Sequence, residues 1–203
     1  RVLSRPALIE DVDISAVSRP LARSSNGTAE ACLWVGNTAT VRRAVLSSCA
    51  WAGLWTGTAS RQSVIEDVRI DNTPVAVYLE HFTSESVFRR MDIGPRVDVG
   101  FNCEWADPAW GGKPGCVDNL IADSIVSSCA VGVFMGSGTT RVTVRDVQFR
   151  LQRVGAVVDD GSLGAVVEAN DYAGIASGAS WLVRGFDAAS WKQASGCSRW
   201  SPA

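Results

Sequence analysis

The chain has 203 residues, 46% of them hydrophobic, with 19 basic against 21 acidic side chains and a net charge of −2. That length suits one domain, and the near-neutral balance argues against a nucleic-acid or anionic-membrane surface as partner. No uninterrupted apolar run is long enough to span a bilayer, and Arg1-Val2-Leu3-Ser4-Arg5-Pro6 lacks the apolar centre of a signal peptide, so the chain reads as mature or trimmed and soluble.

The first alternating segment, Leu8-Ile9-Glu10-Asp11-Val12-Asp13-Ile14, recurs as Val64-Ile65-Glu66-Asp67-Val68-Arg69-Ile70 and more loosely elsewhere. Aligning the copies places Ile9, Val41, Ile65, Phe88, Ile121 and Val144 in one column. Ile14, Leu46, Ile70, Ile93, Val126 and Phe149 form another. The steps between anchors are 32, 24, 23, 33 and 23 residues, which means units of about 23 residues with insertions near 16–30 and 102–117. A unit this short cannot bury its own apolar face and must stack on its neighbours. Each unit also carries a second alternating run, such as Val75-Ala76-Val77-Tyr78-Leu79 or Val131-Gly132-Val133-Phe134-Met135, and residues 38 to 160 hold no capped, helix-length apolar stretch. Short strands separated by turns in each 23 residues predict a parallel β-solenoid with coils about 4.8 Å apart. After Val158 the repeat decays. Val166–Asp171 allows one more coil, and 173–203, with Trp181, Trp191 and Trp200, reads as an irregular C-terminal cap.

The V-I-E-D-V-R-I-D run at 64–71 and the G-V-F-M-G-S-G-T-T run at 132–140 resemble the right-handed parallel β-helix of the pectate-lyase-like superfamily, over roughly residues 7 to 172. The resemblance implies an all-β fold of about six to seven coils, with residues 1–172 as the helix and 173–203 as its wrap. The Asn-x-Asp, Asp-Asp, Gly-His-Gly and Arg-x-Lys series of the polygalacturonases is absent, and Asp159-Asp160 does not restore it. Arg89 and Arg90 fall on the wrong strand for the arginine base of a lyase. The resemblance also raises Ca²⁺ bound by acidic residues, although no metal site or other cofactor is defined.

The early first anchor leaves little room for an N-terminal cap, so an oligomeric partner or a removed segment is expected over that coil. Among six cysteines, Cys103 and Cys116 bracket the second insertion and are the expected disulfide, stabilising by about 3 kcal/mol and implying an oxidising, secreted or cell-surface location. Cys49 and Cys129 read as buried thiols, and Cys32 and Cys197 stay unassigned. The charged pairs Glu10-Asp11, Arg42-Arg43, Glu66-Asp67 and Arg89-Arg90 share one column with alternating sign, as a surface ion-pair ladder would.

On the second strand of each unit the outward column reads Trp34, Trp55, Tyr78, Gly100, Phe134 and Val157, beside the inward Leu33, Leu54, Val77, Val99, Val133 and Ala156. Flat rings at regular spacing suit the apolar faces of sugars, and flanking small residues such as Gly53, Ala76 and Gly132 would leave them accessible. Glu80, Asn102, Asp159 and Asp98 project polar groups into this trough. His81 and Glu104 join them. Glu80 and Glu104 are the candidate acid and base, Asp98 and His81 their supporting groups, and Trp34, Trp55, Tyr78, Asn102, Phe134 and Asp159 the sugar contacts. Two functions follow: a secreted polysaccharide hydrolase or lyase, or a non-catalytic module for glycan binding, adhesion or a spike-like appendage.

Overall fold

A computed structural model describes residues 6–15, 31–94, 96–104, 115–127, 131–150, 154–159, 162–172 and 180–183, with backbone alone for 154–159 and 180–183. The described residues contain strands and no helix. In chain order they are β1 (Leu8–Ser15), β2 (Ala31–Val35), β3 (Thr40–Ser47), β4 (Ala52–Thr56), β5 (Val64–Asp71), β6 (Thr73–Leu79), β7 (Val87–Arg89), β8 (Asp92–Ile93), β9 (Val97–Cys103), β10 (Leu120–Ala122), β11 (Ile125–Val126), β12 (Val131–Met135), β13 (Thr143–Arg145), β14 (Gln148–Phe149), β15 (Val154–Asp159), β16 (Val166–Glu168) and β17 (Ser180–Val183). Residues 16–30 and 105–114 of the two insertions, most of the C-terminal segment, Cys129 and Cys197 lie outside the described residues.

These strands form two all-parallel sheets, one of ten strands and one of seven. The first runs β1-β3-β5 and then divides, because β5 pairs with both β7 and β8; the two branches continue through β10, β13 and β16 and through β11 and β14. The second is β2-β4-β6-β9-β12-β15-β17. This corrects the expected right-handed parallel β-helix of six to seven ~23-residue coils: the layout is sheet to sheet rather than a solenoid. The solenoid expectation rests on the 23-residue repeat and its paired short strands, and its right hand on the resemblance of two short motifs. Backbone pairing is decided by ladder hydrogen bonds along whole strands, which those motifs do not encode.

The register within the first sheet follows the repeat columns. Ile9 pairs with Val41, Val41 with Ile65, Ile65 with Phe88, Phe88 with Ile121, and Ile121 with Val144. Two consecutive charges break the period-two pattern in five of the seven copies, and the backbone shows why. Asp11, Arg43, Asp67, Arg90, Asp123, Asp146 and Ala169 all have φ between 49° and 56°. A left-handed residue bends the strand, so that in β5 Glu66 and Asp67 both face outward while Ile65, Val68 and Ile70 are buried. Side chains other than glycine, asparagine and aspartate pay for that conformation, yet Arg43, Arg90 and Arg141 occupy it, paired with Asp11, Asp67 and Asp118.

The interior between the sheets holds Phe88, Phe101, Leu54, Ile65, Ile70, Met91, Ile121 and Phe149, each essentially inaccessible. Phe88 and Phe101, from opposite sheets, meet edge to face with centroids 6.0 Å apart. Glycine lets the sheets close: a Cβ on Gly53 would sit 2.5 Å from Ile70 Cγ2, and one on Gly100 would sit 2.6 Å from Val126 Cγ1. Gly53 and Ala76 therefore belong to the interior rather than flanking an accessible outer stripe. Between β6 and β9 the ladder passes over Ala76 and Gly100, pairing Val75 with Val99 and Val77 with Phe101.

Candidate functional site

The site is built on the outer side of the second sheet, where β4, β6 and β9 end. Trp34 pairs with Trp55, Trp55 with Tyr78, Tyr78 with Asn102 and Asn102 with Phe134. Asn102, not Gly100, thus occupies the break in the ring column. The sequence register was displaced by two residues in β9, an even slip that preserves facing and so leaves no trace in the hydrophobic alternation.

The rings form a cluster. Trp34 stacks on Trp55 with centroids 4.6 Å apart, and Trp51 packs on Trp55 at 5.1 Å and on the edge of Tyr78 at 4.7 Å. Trp34 is 55% exposed, whereas Trp55, Tyr78 and Phe134 are at 7%, 6% and 2%. The expected open ladder is therefore reduced to one accessible ring, since neighbouring rings bury one another's faces instead of presenting them to water.

Around the buried rings lie the acids. Trp55 Nε1 donates to Glu80 Oε2 at 3.0 Å. The Tyr78 hydroxyl donates to Glu104, and the His81 backbone N–H donates to Glu104 Oε2 at 3.2 Å. His81 Nδ1 stands 3.4 Å from the same oxygen, with side-chain exposures of 8% for His81 and 15% for Glu104. Burial pushes the Glu104 carboxyl above the ordinary carboxylate range, against the hydrogen bond from Tyr78 and the attraction of His81, and the negative charge of Glu80 raises it further. Burial likewise drives the Tyr78 phenol far upward.

Glu80, His81, Glu104, Tyr78 and Trp55 are thus brought together as the sequence predicted. Asp98 is not: it lies six positions before Glu104 on β9, about 20 Å of extended chain. Asn102 is 5% exposed, and its Oδ1 has no hydrogen-bond partner among the described residues. Asp159 ends β15, where the backbone alone is described. Sequence reasoning missed Trp51, whose one signal is its place just before β4.

The cysteine assignment is also corrected. Cys32 and Cys49 form the disulfide, with Cα atoms 5.5 Å apart, while Cys103 and Cys116 are buried free thiols. Cys116 Sγ instead donates to the Leu79 carbonyl at 3.4 Å, and burial raises its thiol pKa. Loop length favoured the 103–116 pair, but the bond is set by where side chains meet. Cys32 lies on the edge strand β2, and Cys49 precedes its neighbour β4.

Among the described residues no group of three or more His, Cys, Asp or Glu is placed to hold a metal ion. The acids face hydrogen-bond donors, Trp55, Tyr78 and His81, rather than a ring of oxygens, so they do not fit calcium. No helix is long and apolar enough to cross a membrane among the described residues. No family model matches the chain, and comparison with curated proteins finds no match.

Proposed function

We propose that this is a secreted protein that engages polysaccharide at Trp34 and the adjoining acid cluster, and cleaves it by hydrolysis. One observation carries this reading: Glu104 is withdrawn from water next to a second carboxylate, and Trp55 links that pair to the exposed Trp34. A carboxyl raised in this way holds its proton to higher pH than an ordinary glutamate, and in its protonated form it can deliver that proton to a glycosidic oxygen as the bond to the sugar carbon breaks. Glu80 is the partner carboxylate that activates water or stabilises the positive charge developing on the ring. Trp34 offers a flat apolar face for the sugar to stack on. The Cys32–Cys49 disulfide suits an oxidising compartment.

The burial of Trp55, Tyr78 and Phe134 favours a second reading, a glycan-binding module without turnover, because a single exposed ring offers one subsite where a chain-cleaving groove usually offers several. Purified protein incubated with neutral and acidic polysaccharides, followed by reducing-end release, separates the two. The hydrolase reading expects turnover that falls about 100-fold or more in Glu104→Gln and is weakened through KM in Trp34→Ala. Binding that depends on Trp34 without product identifies the module. Neither binding nor product on any polysaccharide sinks both.

A further inference from the structure

Among the described residues, β1 pairs only with β3 and β2 only with β4, so one end of the two-sheet stack presents a row of backbone groups with no described strand beside it. Burial changes abruptly over this one step. Leu8 is 57% exposed and Ile9, Val12 and Ile14 are only partly buried, whereas their neighbours on β3, Val41, Ala44 and Leu46, stand at 0%, 1% and 0%. On the second sheet Leu33 is partly buried while Leu54 is at 0%. The apolar interior thus reaches this end less buried than in the strands behind it, with no covering layer among the described residues.

The charges say what would cover it. Arg42 binds Glu10 at 2.6 Å, and Arg43 binds Asp11 at 2.6 Å and Glu10 at 2.8 Å. The next acidic pair, Glu66 and Asp67, is bracketed on both sides. Arg89 and Arg90 hold it through contacts of 2.7 Å, and Arg43 on the other neighbouring strand adds to the field on Asp67. Glu10 and Asp11 are the same element, with basic residues on one side only among the described residues. At the far end of the stack the corresponding position carries Glu168 on β16, so a second copy docking head to tail would set acid against acid.

We propose that the β1 edge is a docking site for an extended segment of a partner protein that carries two adjacent basic residues between aliphatic ones. It adds as a further parallel strand, with its basic pair against Glu10 and Asp11 and its aliphatic side chains over Ile9, Val12 and Ile14. Backbone pairing supplies the attachment and the charge pair fixes the register.

The probe is the β3 sequence itself, Thr-Val-Arg-Arg-Ala-Val-Leu-Ser, as a capped peptide, against the same peptide with both arginines replaced by glutamate. The expected result is binding of the basic peptide at least about 10-fold tighter than the acidic one, weakening with salt, together with slowed amide hydrogen exchange in Leu8–Ser15 of the unaltered protein. Glu10→Gln/Asp11→Asn, a milder change than charge reversal, should remove the preference without removing the fold, as checked by its thermal transition. Equal affinity for the two peptides, no affinity for either, or exchange protection elsewhere than β1 overturns the proposal. So does concentration-dependent self-association that protects β1, which would make the occupant a second copy.

Discussion

The outer faces of the two sheets carry the same kind of residue and put it to opposite uses. On the first sheet Glu66 and Asp67 stand at the surface beside Arg89 and Arg90, and the guanidinium groups hold both carboxyls below the ordinary range. On the second sheet Glu104 lies among Tyr78, His81 and Glu80, and burial holds its carboxyl above that range. A carboxylate in a solvated ion pair keeps its charge and ties adjacent strands together. One withdrawn from water and set near another acid holds its proton to higher pH than an exposed one, which favours a part in proton transfer. The difference follows from the strand bends. Left-handed residues turn paired charges outward on the first sheet, whereas the second sheet packs its rings into a cluster that excludes water.

Four measurements would break or sharpen this contrast. The largest effect is expected where the faces share an interior: Phe88→Ala removes a fully buried ring that meets Phe101 across the sheets and should cost about 3–5 kcal/mol in denaturant unfolding. If the loss is near zero, or one sheet unfolds separately from the other, the sheets are not one cooperative unit. Replacing Cys32 and Cys49 together by serine should cost about 3 kcal/mol, since the bond closes a loop with a sequence separation of 17. A reducing agent should shift the thermal transition of the parent protein and leave the double variant unchanged.

The third measurement tests the sign of the electrostatics. Because the folded-state pKa of Glu104 is raised, the folded protein binds the proton more tightly than the unfolded chain. The stabilisation this gives is fully present at pH below the unfolded value, near 4.5, and is lost as pH rises through the folded value. Glu104→Gln should therefore gain stability relative to the parent as pH rises from about 4 toward neutrality and converge with it at acid pH. For Glu66 and Asp67 the shift is downward, so their contribution is present at neutral pH and fades as pH falls through their depressed values. A pH series of unfolding curves in which Glu104→Gln loses stability toward neutrality would remove the distinction between the faces. The smallest effect belongs to the exposed ladder: Arg90→Ala should lower the thermal midpoint by less than about 2 °C, and high salt should shrink the difference further.

Much of this could be read before the structure. The columns through Ile9, Val41 and Ile65 gave the register of the first sheet, because one buried side chain per two residues tolerates no single-residue slip. The charge ladder was legible for the same reason, and the structure places His81 beside Glu104. The shift at Asn102 was not legible, since a slip of two leaves every side chain on its own face. Nor was the inward turn of Gly53 and Gly100: a glycine gives no hydrophobic signal, and only the nearby Ile70 and Val126 show which way its missing side chain would point.

By itself, then, the sequence determined the β-strand character of the described residues, the register that aligns its repeated segments in the first sheet, and the alternation of charge between neighbouring segments there. Those properties follow from local alternation and spacing. Tertiary structure decided the rest. It grouped the strands as two parallel sheets, bonded Cys32 to Cys49, left Trp34 the one open ring of its column among the described side chains, and buried Glu104 while its surface counterparts stayed in water. Each of these depends on which side chains meet across the stack, and contact between residues tens of positions apart is set by packing that no local pattern encodes.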